Sequence, residues 1–142
     1  MVFANHDNGS EVDQLPSNVA RTVQQYFEVV FSNDLDLFDL TFHEQAQLYG
    51  FAANGALVVW SARDYREVLS KRPSPKSLGA MREEEPVQVD VASDSHAFAK
   101  VRVRINQTVF IDYLTMLKVD HCWRIVSKTF VGFADPVSGS VP

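Results

Sequence analysis

Two polar groups sit among large apolar neighbours in this chain. One is the Tyr26 hydroxyl, in the helical run Thr22-Val23-Gln24-Gln25-Tyr26-Phe27. The other is the Asp112 carboxyl, in the strand Phe110-Ile111-Asp112-Tyr113-Leu114. A small fold builds a ligand pocket this way, with apolar walls and a few oriented polar groups. Alternation puts Asp112 on one face with Phe110, Leu114 and Met116, where a carboxyl is costly unless paired, protonated or facing a wet cavity. Protonated, it would donate to a ligand carbonyl; the plainer outcome is a structural hydrogen bond with the Tyr26 hydroxyl. His43 follows the second helix and is the candidate base, with an unperturbed pKa near neutrality, although it could equally satisfy that helix's C-terminus. Lys128 shares a face of the last strand with Val126 and Phe130; there it either reaches the rim or pairs with a carboxylate. Trp60, Tyr49, Phe27 and Phe110 are candidates to pack on a flat ligand, against the simpler role of core aromatics.

Other chemistries find little support. His6, His43, His96 and His121 lack metal-ligand spacing, and no glycine-rich phosphate loop or GxSxG elbow is present. No metal or cofactor is therefore expected. Cys122 is the sole cysteine, so no intrachain disulfide can form. The net charge of −5 argues against nucleic acid and anionic membrane as partners. No apolar run spans a bilayer and no secretory leader is evident, so a cytoplasmic location is expected. Lys100, Arg102 and Arg104 form a basic stripe answering Glu83-Glu84-Glu85, and read as a solvated sheet face or a dimer contact.

The elements that must position these groups follow from periodicity. The chain of 142 residues suits one domain with a real core. Residues 1–15 and 133–142 read as tails around a domain over 16–132. Ser17 is the expected cap of a first helix carrying Val19, Val23, Phe27, Val30 and Phe31 at helical spacing. Asn33-Asp34 breaks it and caps a second, with Leu35, Phe38 and Phe42 on one face. Asn54-Gly55 predicts a type I′ hairpin. Ser61 and Asp64 resemble a capping box opening a third helix, with Tyr65, Val68 and Leu69 inward. Arg72-Pro73-Ser74-Pro75-Lys76-Ser77-Leu78-Gly79 ends it, as a connector or as a lid over a cavity mouth. The remainder alternates with period two: Val87, Val89 and Val91 share a face, as do Ala97, Ala99, Val101, Val103 and Ile105. Turns fall at Asn106-Gln107 and Asp120-His121. The expectation is an α+β domain, a cone-shaped, strongly curved antiparallel or mixed sheet with three helices from the N-terminal half on its concave face.

The order helix, helix, hairpin, helix, long strands resembles the nuclear transport factor 2-like superfamily, which includes the SnoaL-like and ketosteroid isomerase-like proteins. Phe42-His43-Glu44-Gln45-Ala46, Arg72-Pro73-Ser74-Pro75-Lys76, and Phe110 to Lys118 continuing to Trp123-Arg124-Ile125-Val126 and Lys128 look like the group named for lumazine binding. The resemblance runs from about Val19 to Phe130. His121 stands where that group's turn usually has glycine. The resemblance implies a pteridine-type ligand for the group. By position, Tyr26 and Asp112 correspond to the tyrosine and neutral aspartic acid of the ketosteroid isomerase oxyanion hole, while that enzyme's base falls at or near Gly50, which cannot take a proton. The resulting expectation is a small-molecule pocket for a flat, largely apolar, carbonyl-bearing ligand of steroid, polyketide or pteridine type. As an enzyme it would move protons next to a carbonyl, in an isomerase, dehydratase or cyclase reaction, with His43 as base. The rival expectation is a non-catalytic association module, since this fold often forms homodimers through its open sheet face.

Overall fold

The computed structural model describes residues 17–134, with the side chain of Ser17 outside the description. The expected N-terminal tail, the expected Ser17 cap and residues 135–142 therefore lie outside it, whereas Phe133 and Ala134, expected in the C-terminal tail, are the last two residues of a strand paired with Val109 and Thr108. The elements run α1 (Ser17–Ser32), α2 (Leu35–Thr41), β1 (Phe42–Phe51), β2 (Leu57–Ser61), α3 (Ala62–Lys71), β3 (Glu84–Ser93), β4 (His96–Ile105), β5 (Thr108–Val119) and β6 (Cys122–Ala134). The six strands form one open mixed sheet in the order β2-β1-β6-β5-β4-β3. β1 and β6 pair in parallel, and the other neighbours are antiparallel. The three helices lie on the concave face of this cone.

Each helix boundary has a local cause. Asn33 adopts φ 55°, a left-handed conformation that asparagine tolerates, and its side-chain amide donates to the Leu69 and Arg72 carbonyls at 3.0 and 2.9 Å. The end of α1 is thereby fastened to the end of α3. Asp34 caps α2 through the Leu37 N–H at 3.0 Å. Ser61 and Asp64 form a full capping box at the start of α3, satisfying two orphan donors reciprocally. Phe42 is the first residue of β1 rather than the last turn of α2, yet stays buried and stacks on Phe38 at 4.6 Å.

The turns divide differently from the sequence expectation. At the β1–β2 hairpin only Gly55 has positive φ (87°). Ala52 accepts from the Gly55 N–H and donates to the Ala56 carbonyl at 2.9 and 2.8 Å. This is a three-residue loop with a left-handed glycine, not a type I′ turn. The pair with both φ positive is Asp120-His121 (50° and 69°), between the paired residues Val119 and Cys122. A register shift between Pro86 and Gln88 turns Val87 outward while Val89 and Val91 remain buried. The connector after α3 is anchored, with Pro75 buried and the Lys76 N–H donating to the Phe31 carbonyl at 3.0 Å. The basic stripe meets its acids across β3–β4: Arg102 with Glu85 at 2.7 Å and Arg104 with Glu83 at 3.0 Å.

The inner layer is the core, built from α1, the inward faces of β1, β4, β5 and β6, and the apolar sides of α2 and α3. The outer face of the sheet carries exposed Tyr49, Phe51, Leu57, Val59, Tyr113 and Val131.

Candidate functional site

Three elements deliver polar groups to one point inside the cone. α1 turns Tyr26 inward on its apolar stripe, β5 turns Asp112 inward, and β6 turns Lys128 inward; they are 0%, 1% and 5% exposed. On β5–β6, Asp112 pairs with Phe130 and Leu114 with Lys128, so Asp112 and Lys128 are diagonal neighbours on one face, within reach of a long side chain. The pairing holds only because β6 carries an extra residue between Ile125 and Ser127. This bulge resets the alternation. Lys128 therefore follows buried Ile125 on the inner face, and the expected run through Val126 does not hold.

The Tyr26 hydroxyl donates to Asp112 Oδ2. Lys128 Nζ lies 3.9 Å from the same oxygen and donates to the Tyr65 hydroxyl at 3.4 Å. Asp112 Oδ1 is buried and unpartnered. Burial pushes the Asp112 carboxyl above its ordinary range, while the Lys128 charge and the Tyr26 hydrogen bond work the other way. Burial and the neighbouring carboxylate push the Tyr26 phenol up as well.

Aromatic rings enclose the cluster. Lys128 Nζ sits 4.7, 5.1 and 5.3 Å from the ring centroids of Tyr65, Tyr26 and Phe130. Trp60 stacks on Tyr65 and Phe130 at 5.7 and 6.1 Å, and Phe110 meets Phe130 edge-on at 6.2 Å. Trp60, Phe110 and Phe130 are only partly buried, whereas Phe27, 6.2 Å from Tyr26, is sealed in the core. Gly50 has a structural reason. It pairs with Phe130 on β1–β6, and a Cβ there would lie 2.3 Å from the Phe130 ring. The ring fills the place where the resemblance would put a general base.

The structure does not bring His43 or Tyr49 to this cluster. Phe42 points inward, so alternation turns His43 out, into a groove of about 450 Å³ with Asp39, Asp120, Cys122 and Arg124. There His43 Nδ1 accepts from the Gln45 N–H at 3.0 Å. The Arg66 guanidinium holds the nearby Asp39 carboxyl below its ordinary range. Tyr49 lies on the opposite face of β1, half-exposed, in a groove of about 760 Å³ with Phe51, Ile111, Tyr113, Val131 and Phe133. Tyr65 is the site residue that sequence reasoning left in the core. Its signal is the one Tyr26 gave, a hydroxyl on the buried stripe of a helix. Among the described residues no group of three or more histidine, cysteine, aspartate or glutamate side chains could hold a metal, and no helix is long and apolar enough to cross a membrane.

The fold and inner cluster define a helix-covered open cone with a polar point at its centre. The chain belongs to the family described as "Putative lumazine-binding", which matches residues 15–131. No curated protein matches it. Among solved structures, it is similar to a nuclear transport factor 2-like protein of unknown function from Silicibacter pomeroyi, with a TM-score of 0.73 at 20% identity over 82% of this chain and 94% of that one. A second such protein, from Shewanella baltica, gives 0.73 at 21% identity over 90% and 100%. A ketosteroid isomerase-like protein from Erwinia carotovora atroseptica gives 0.64 at 11% identity over 83% and 95%. At these identities the likeness is one of fold.

Proposed function

We propose that this chain is a small-molecule pocket protein for a flat, largely apolar, carbonyl-bearing ligand of pteridine, steroid or polyketide type. The ligand would be gripped at the inner cluster by Asp112, Tyr26, Lys128 and Tyr65, between Trp60, Phe110 and Phe130. The observation that carries the reading is the 1% exposed Asp112 carboxyl, with one oxygen unpartnered inside an aromatic shell. A buried polar atom without a partner is rare in a finished core, and a ligand donor would satisfy it. The Lys128 ammonium, with one long hydrogen bond at 3.4 Å, has donors left for a ligand carbonyl. The family description supports the pteridine member of this ligand class. Because Tyr26 already donates to Asp112, the two would act as one acceptor unit rather than as two donors. The acidic charge and single cysteine support a cytoplasmic location within this reading.

The test is a thermal-shift screen of the chain against pteridines, flavins, steroids and aromatic polyketides, repeated with Asp112→Asn. A ligand at 100 times its Kd stabilises by roughly 2.7 kcal/mol. A shift of several degrees that the variant loses is expected; a panel without a single shift would refute the reading.

A homodimer through the outer sheet face is the second part of the proposal. Tyr49, Phe51, Leu57, Val59, Tyr113 and Val131 are exposed together there, and contiguous apolar surface of this kind marks an interaction site.

A further inference from the structure

Lys128 is placed as few lysines are. The residue is 5% exposed, and its amine faces three aromatic rings. A charged ammonium carries three donors and needs oxygen acceptors. Here it finds the Tyr65 hydroxyl at 3.4 Å and Asp112 Oδ2 at 3.9 Å, beyond hydrogen-bond reach. The ring faces return part of the lost solvation but supply no directed hydrogen bond. An adjacent group that can take its proton is what turns a lysine ammonium into a nucleophile. Asp112 is that neighbour, with Oδ2 3.9 Å from Nζ and Oδ1 buried without a hydrogen-bond partner.

We infer that Lys128 is a nucleophilic amine that condenses with an aldehyde or ketone carbonyl of the bound ligand to form an imine. The inference rests on the pocket proposed above. The Lys128 ammonium first gives a proton to Asp112; the amine then attacks the carbonyl carbon, a C–N bond forms, and the carbonyl opens to a carbinolamine. The nitrogen's protons pass to the oxygen with Asp112 as carrier, the C–O bond breaks, water leaves, and the imine remains. Nothing is oxidised or reduced, and water reverses the step. The Tyr65 hydroxyl, already in contact with Nζ, is positioned to hydrogen-bond the departing oxygen.

The test is reductive trapping on the full wild-type chain at pH 7 with 2-naphthaldehyde and cyanoborohydride, which converts an imine to a stable secondary amine. Peptide mass mapping then locates the adduct among Lys71, Lys76, Lys100, Lys118 and Lys128. The expected result is an adduct at Lys128 whose rate saturates with aldehyde and exceeds that at exposed Lys71 on the order of tenfold. In parallel, the alcohol counterpart, 2-naphthalenemethanol, is used in a thermal shift, since it can fill the pocket but cannot condense. Stabilisation by the alcohol with labelling only at surface lysines overturns the imine and leaves the pocket standing. Neither stabilisation nor labelling at Lys128 overturns both. Because the decisive measurement uses the wild-type chain, it does not depend on a variant that folds.

Discussion

At the scale of single residues, the inner cluster is a charge pair held in low dielectric with an incomplete set of hydrogen bonds. Removing one member of such a pair strands the other. Lys128→Met is expected to destabilise by about 3 kcal/mol in urea unfolding, and adding Asp112→Asn is expected to recover at least half of that loss. A double variant no better than Lys128→Met alone would show that the two side chains are not energetically coupled. The pH dependence follows from burial. The Asp112 pKa is raised in the folded state, so its contribution is fully present below the unfolded value of about 3.9 and is lost as pH rises through the folded pKa. The stability of Asp112→Asn relative to wild type should therefore increase as pH rises from 4 toward neutrality, by at most about 1.4 kcal/mol per unit. The difference between the two proteins isolates this group from Glu28 and Asp39, whose pKa values are lowered and which work in the opposite direction. A flat difference across that range would mean that Asp112 does not titrate there.

At the scale of elements, the site depends on how strands approach one another. Gly50 lets β1 pass beneath the Phe130 ring, which in turn backs Lys128 and Trp60. Gly50→Ala places a methyl inside that ring, and the overpacking is expected to cost about 2 kcal/mol with loss of any ligand-induced thermal shift. Near-wild-type stability and binding would show that the ring moves aside freely. The helix over the site depends on its cap: Ser61→Ala removes a bond to the Asp64 N–H at 3.0 Å and should cost about 1 kcal/mol in thermal unfolding. The β6 bulge belongs to the same scale. One extra residue after Ile125 decides which of the following β6 side chains face the inner cluster, and a period-two reading passes over it.

At the scale of the whole molecule, the two faces of one sheet serve different ends. The inner face is sealed by helices around Asp112, while the outer face leaves aromatic and aliphatic side chains in water. If copies meet there, Tyr113→Glu at the centre of that face should shift the chain from dimer to monomer by light scattering, leaving the thermal shift with ligand intact. A wild-type chain that is monomeric at tens of micromolar would end the dimer reading. The outward placement of His43 divides the candidate chemistry in the same way, because a base lying in the Asp39–Cys122 groove cannot act on a ligand held by Asp112.

Local patterns in the chain determined what depends on neighbours in sequence: the three helices and their caps at Asp34 and Ser61, the inward faces of β4 and β5, and the unusual burial of Tyr26 and Asp112. Those follow from period, propensity and short-range hydrogen bonds, which a linear reading carries. Tertiary structure decided what depends on pairing across the sheet. It set the bulge that turns Lys128 inward, the Phe130 ring over Gly50, the Tyr65 hydroxyl beside Nζ, the outward turn of His43 and Tyr49, and the three-residue loop at Gly55. The physical reason is register: a shift of one residue between strands reverses every side chain beyond it, and registers are settled by contacts between residues far apart in the chain.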